Sequence, residues 1–145
     1  MMNDVDKSID SFDLALRRRF RWLNFTCDYN VISDHVFYYL LEKEKNKIDN
    51  EKIKAIESKT YNYVENCKHL NNYIVQELGL GTSYQFGHSF FLKISNIKLR
   101  WDSAISKLFN EYLEPTLKEY IRTFCTEESE IEQKLAEAKK QFTNK

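Results

Sequence analysis

The sequence predicts a mainly α protein, a helical body led in by a short helix-plus-strand segment. Three observations carry this. Only three glycines and one proline occur in 145 residues, too few chain breakers for many short strands joined by turns. Apolar residues recur at three- and four-residue steps through most of the chain beyond Ser33, the spacing of one helix face. The first 26 residues break that pattern: Phe20, Trp22 and Asn24 alternate with Arg21, Leu23 and Phe25, as in a strand. No partner strand can be found elsewhere in the sequence, which suggests that the sheet it belongs to lies outside this chain.

Taken in order, Asp10 to Arg17 reads as one short helix with Asp10 or Ser11 as N-cap, followed by the strand over 20–25. Ile32, Val36, Phe37, Leu40 and Leu41 mark a helix with Ser33 as the expected cap. The polar run from Glu42 to Asn50 closes it and opens the next. Ile53, Ile56, Tyr63, Val64, Cys67, Leu70, Ile74 and Leu78 then hold one face for about seven turns at ~3.6 residues each, and this stripe is core. Gly79, Gly81 and Gly87 all fall within nine residues, so 79–91 is the main irregular stretch, with Gly79 placed as a helix-ending glycine. Leu99, Trp101, Ile105, Leu108, Phe109, Tyr112 and Leu113 line the next helix. Pro115 kinks or restarts it, and Leu117, Tyr120, Ile121 and Phe124 continue the pattern. A last helix begins at Thr126 as cap, with Ile131, Leu135, Ala138 and Phe142 as its thin apolar stripe and a Glu130–Lys134 pair on its flank. That stripe either docks on the body or faces a partner.

Composition excludes several classes. Twenty-two basic and twenty-two acidic residues cancel, whereas a free-standing nucleic-acid binder shows a basic excess; direct nucleic-acid binding is not expected. Cys27, Cys67 and Cys125 are odd in number and widely spaced, so they read as buried thiols of a reducing cytoplasm. His35, His69 and His88 complete no ligand set, and no metal site is expected. No apolar run approaches the roughly 20 residues that cross a bilayer, and the acidic N-terminus is no signal peptide. The chain reads as cytoplasmic, with no membrane partner.

Among motifs, Gly87-His88-Ser89 opens like a nucleophile elbow but lacks the second glycine and a feeding strand. Gly79-x-Gly81 follows a helix, not a strand, and is no dinucleotide fingerprint. The sequence holds no GxxxxGK[ST], so nothing in it can wrap backbone amides around a triphosphate.

Three segments in order resemble a known arrangement. Met2-Asn3-Asp4-Val5-Asp6-Lys7 and Leu16-Arg17-Arg18-Arg19-Phe20 are similar to the Met-Asn-x-x-Asp-Arg and Leu-Arg-Arg-Arg-Phe motifs of the McrB family, the AAA+ nucleotide-hydrolysing subunits of modified-cytosine restriction systems. Phe86-Gly87-His88-Ser89-Phe90-Phe91 resembles that family's Ile-Gly-His-Ser-Tyr-Phe. Glu114-Pro115-Thr116-Leu117-Lys118-Glu119-Tyr120 resembles its Ala-Pro-Leu-Leu-Glu-Glu-Tyr. The resemblance spans Met2 to about Phe124.

It implies that residues 1–26 are a remnant of an α/β AAA+ core, 27–125 a helical lid and 126–145 a C-terminal helix. It makes Asn3 the sensor-1 amide, with Asp6 beside it in the water-positioning network. Arg18 and Arg19 become fingers offered to a neighbouring subunit's nucleotide, and Gly87, His88 and Ser89 the nucleotide-proximal part of the lid. Fingers act in trans, so the resemblance implies neighbouring AAA+ subunits in a ring, with an endonuclease subunit as a further partner. GTP or ATP with Mg²⁺ would be held by the complete module and none by this chain alone. Met1-Met2 is expected to open a reading frame inside the full module. Two departures stand out: Lys7 replaces the family's arginine, which is not equivalent at a bidentate site, and Gln85 stands where some members carry an arginine. The alternative is a non-enzymatic helical interaction module that uses the Ile131–Phe142 helix or the Arg17–Arg21 surface.

Overall fold

A computed structural model describes residues 26–144. The helix read over Asp10–Arg17, the strand over 20–25, and Asn3, Asp6, Arg18 and Arg19 lie outside the described residues. Within them the architecture is all helical, with no strand: α1 (Tyr29–Lys43), α2 (Asn50–Asn72), a single-turn α3 (His88–Phe91), α4 (Trp101–Leu108), α5 (Glu114–Arg122) and α6 (Glu128–Thr143).

α1 starts four residues before the expected cap. Asp28 is the N-cap, its Oδ1 accepting from the Asn30 and Val31 N–H groups at 3.0 and 3.4 Å. Ser33 therefore sits inside the first turns. A carboxylate two and three residues upstream of free N–H groups outcompetes a hydroxyl already within the helical ladder. Ile32, Val36 and Leu40 are the buried face, as their spacing foretold.

α2 begins at Asn50 behind Asp49, whose carboxylate accepts from the Lys52 N–H at 2.9 Å. Its apolar stripe does run on past Asn72, but in a wider coil: Tyr73–Glu77 is π-helical, and the Leu78 N–H reaches back to the Tyr73 carbonyl at 2.9 Å. The helix stops where Gly79 turns left-handed (φ +68°), a conformation glycine reaches without a Cβ penalty. α4 likewise passes into a π-helical stretch, Phe109–Leu113, and Pro115 restarts the chain as α5 from its first turn. In a first turn the N–H that proline lacks has no partner within the helix to lose.

Three assignments shift. Leu99 precedes α4 and stays 42% exposed, and Phe124 lies past the end of α5 at 45%; both continue the apolar spacing in sequence after the helix itself has stopped. Thr126 does not cap α6. The cap position is Glu127, without a side-chain bond, and the helix runs from Glu128. The Glu130–Lys134 pair is present at 3.7 Å.

α2 is the spine. α1 packs along one side of it and α6 along another, and α6 also lies against α5 and α4. Ile131, Leu135, Ala138 and Phe142 are all buried, so the stripe of α6 docks on this body. At the centre, the Phe142 ring lies 6.0 Å from Tyr63, 5.9 Å from Phe91 and 6.1 Å from Phe109 between ring centroids, and Tyr63 also meets Trp101 at 5.4 Å. Spacings of this kind add modestly to the large area these rings bury. None of the described helices is long and apolar enough to cross a membrane.

Candidate functional site

The irregular stretch between α2 and α4 carries the sequence-predicted lid residues Gly87, His88 and Ser89. Its shape begins with two left-handed glycines, Gly79 at φ +68° and Gly81 at φ +89°, followed by a 3₁₀ turn over Thr82–Tyr84. Gly87 is different. Its φ is −74°, open to any residue, and an added Cβ would meet nothing within 4 Å. Neither backbone nor packing among the described residues demands glycine there.

His88 opens α3 half-buried, and its Nδ1 accepts the N–H of Asp28 at 3.3 Å. It thus reaches the point where the chain enters α1. Ser89 is exposed and forms no bond with His88. With Nδ1 already engaged and no serine against the ring, the elbow-like reading of Gly87-His88-Ser89 has no nucleophile–base pair to support it. A second histidine–serine contact, His35 Nε2 to Ser95 Oγ at 2.9 Å, fares no better. The Ser95 hydroxyl donates its proton to the Leu92 carbonyl at 3.0 Å, so the imidazole serves as donor and cannot act as base toward it.

What fixes the turn is a residue that the periodicity reading passed over. Asn71 is 2% exposed. Its side-chain oxygen accepts the Phe86 N–H at 2.8 Å, and its amide nitrogen donates to the Phe86 carbonyl at 3.0 Å and to the Tyr29 hydroxyl at 3.1 Å. The signal was present: 64, 67, 71, 74 and 78 form a single helical stripe, and 71 is its one strongly polar member. A polar residue on a core stripe is retained where its hydrogen bonds are met. A few residues on, the Tyr63 hydroxyl donates to the Phe91 carbonyl at 2.6 Å. Gln85, one residue before the clamp, is half-buried and neutral.

The thiols near this region are unreactive by environment. Cys27, Cys67 and Cys125 are buried and free. Burial pushes the Cys27 thiol up to about 12, with the Asp28 carboxylate adding to the effect, and holds Cys67 well above the ordinary thiol range. A thiol kept protonated is neither nucleophile nor metal ligand. Among the described residues no cluster of three or more His, Cys, Asp or Glu is placed to hold a metal ion.

The described residues thus form a helical body with one clamped, glycine-bearing turn between α2 and α4. Residues 62–123 match the family model described as McrB, alpha-helical lid domain, and over that span the chain is similar to an McrB-type lid. The matched span runs from the second half of α2 to the end of α5, and includes Asn71, the Phe86–Phe91 turn and Pro115. No curated protein and no solved structure matches the chain.

Proposed function

We propose that this chain is the lid-bearing, arginine-presenting end of an McrB-type AAA+ GTPase or ATPase ring that serves DNA restriction in the cytoplasm, and that it is inactive alone. The match of residues 62–123 to the McrB lid carries this reading. The motifs Met2-Asn3-Asp4-Val5-Asp6 and Leu16-Arg17-Arg18-Arg19-Phe20 stand upstream in the order such a module requires.

Each residue has a role with a physical reason. Asn3, the sensor-1 amide, both donates and accepts without titrating, which suits the orientation of an attacking water. Asp6 supports that network. Arg18 and Arg19 present planar, permanently charged forks to the phosphate held by the next subunit, a contribution of about 10³–10⁵ in rate where such fingers are known. Gly87, His88 and Ser89 face the nucleotide from the lid. Gly87 fits that position because its open side leaves room for close approach and nothing among the described residues requires glycine there. GTP or ATP with Mg²⁺ belongs to the phosphate loop of the complete module, and an endonuclease subunit is a further partner.

A second reading, a non-enzymatic interaction module, loses one of its two surfaces because the stripe of α6 is buried within this chain. The Arg17–Arg21 surface would have to carry it alone.

The test is phosphate release from GTP and from ATP, with Mg²⁺, by the full chain alone and mixed with a P-loop-bearing AAA+ segment of the McrB family. Turnover is expected only in the mixture. Arg18→Ala or Arg19→Ala should lower it about 10³-fold. Gly87→Ala should lower it as well, while leaving the melting temperature of the chain unchanged or raised. Turnover by the chain alone, or a mixture indifferent to both arginines, overturns the proposal.

A further inference from the structure

We infer that Asn71 is a positioning residue: its clamp on Phe86 sets the Gly87-His88-Ser89 turn so that His88 latches the chain's entry into α1. The argument begins with what an asparagine amide has to offer, one oxygen acceptor and two N–H donors. All of these are committed. The oxygen takes the Phe86 N–H and the nitrogen serves the Phe86 carbonyl and the Tyr29 hydroxyl. The amide thus imitates a neighbouring peptide unit for Phe86 at a place where no strand or helix supplies one.

The links close into a ring. From Asn71 on α2 the path crosses to Phe86 and follows two residues to His88. It then crosses from His88 Nδ1 to the Asp28 N–H, and Tyr29, the next residue, returns to Asn71 through its hydroxyl. Three segments distant in sequence are held at one point, and Asn71 contacts two of them directly. Other side chains fail for stated reasons. Aspartate keeps the acceptor for the Phe86 N–H but loses both donations and sets an anionic oxygen against the Phe86 carbonyl. Serine and alanine do not reach. In all three cases buried polar groups of Phe86 lose a partner, and the turn must move to find water.

The mechanical consequence rests on the function proposed above. Residues 26–28 follow Arg18 and Arg19 in the sequence, and the clamp ties the turn read as facing the nucleotide to the point where the chain enters α1. The clamp itself does not depend on that reading, and its test involves no nucleotide.

The experiment is NMR on the full chain. In the wild type, the Asn71 side-chain amide protons should exchange at least tenfold more slowly than those of the exposed Asn30, and the His88 ring should show a cross-peak to the Asp28 amide proton. In Asn71→Asp that cross-peak should fall at least fivefold while the far-ultraviolet helical signal persists. Tyr63→Phe, which removes a buried hydrogen bond to Phe91 outside the clamp, should leave it intact. His88→Ala should leave the Phe86 amide protected, which gives the direction of the dependence. Wild-type Asn71 amide protons that exchange as fast as those of Asn30 overturn the inference even if every variant fails to fold. So does a folded Asn71→Asp with the His88–Asp28 cross-peak unchanged, or a cross-peak lost equally in Tyr63→Phe.

Discussion

α6 and the Phe86–Phe91 turn both rest on the same helix, α2, yet they are held by different chemistry. α6 docks through carbon: Ile131, Leu135, Ala138 and Phe142 are buried, and polar contacts stay mostly at the edge, where Lys118 meets Glu128 and Glu132 at 3.3 and 3.2 Å. The turn is held by polar atoms of α2, Asn71 at Phe86 and the Tyr63 hydroxyl at Phe91. The cause is the state of the docked backbone. A regular helix satisfies its own N–H and C=O groups, so apolar complementarity suffices to place it. An irregular segment brings unpaired backbone groups to the interface, and the supporting helix must answer them. Tyr63 does both at once, its ring against Phe142 and its hydroxyl on the turn.

The comparison can be broken at its strongest point first. Phe142→Ala removes a fully buried ring from the junction of Tyr63, Phe91 and Phe109. It should cost about 3–5 kcal/mol in urea unfolding; a loss under about 1 kcal/mol would mean that α6 is not docked through this ring. Tyr63→Phe keeps the ring and deletes only the hydroxyl on the Phe91 carbonyl. A loss of about 1–3 kcal/mol is expected, with faster amide exchange confined to the Phe91 end of the turn and none at Phe86 or in α6.

The thiols sharpen the same contrast, because they behave as apolar surface only while protonated. Unfolded, Cys27 and Cys67 ionise near 9.0; folded, burial pushes Cys27 up to about 12 and holds Cys67 well above the ordinary thiol range. Above pH 9 the unfolded chain therefore sheds protons that the native chain keeps. Stability is whole below that pH and falls as pH rises. Urea midpoints at pH 8, 9 and 10 should decline, and Cys67→Ala should flatten the decline.

The smallest effect lies at the edge of α6. Hydrogen bonds from Lys118 to Glu132 and Glu128 raise its pKa, but the pair is open to solvent. Lys118→Met should shift the unfolding midpoint less than Tyr63→Phe does, and the difference should vanish near 1 M NaCl, where the screening length is about 3 Å. Persistence of the difference in salt would show that the ion pairs, and not the carbon stripe, seat the helix.

Much of the fold was legible because helices announce themselves by spacing. The stripes of α1, α2, α5 and α6 were readable from 3–4 periodicity, Gly79 from its place after the last apolar position, and Pro115 from its chemistry. Errors fell at helix ends. Ser33 and Thr126 are both good cap residues on propensity, but a cap is decided by which side chain lies beside free N–H groups, and Asp28 held that place for α1. Leu99 and Phe124 kept the spacing after the helices had stopped, since periodicity says nothing about where a backbone turns. Of the clamped turn, Gly87, His88 and Ser89 stood out in the sequence, while Asn71, Asp28 and Tyr29, whose hydrogen bonds hold it, did not.

The sequence by itself determined that the chain beyond residue 26 is helical, which faces of its helices are apolar, and that it carries the likeness to an McrB-type lid, because each of these is written in short-range spacing or contiguous motifs. Only the tertiary structure decided that the α6 stripe is turned inward, that His88 accepts from Asp28, and that Asn71 meets Phe86 and Tyr29. Those pairs lie 60, 15 and 42 residues apart, and a hydrogen bond between distant residues exists only once helices have packed and fixed the distance between them.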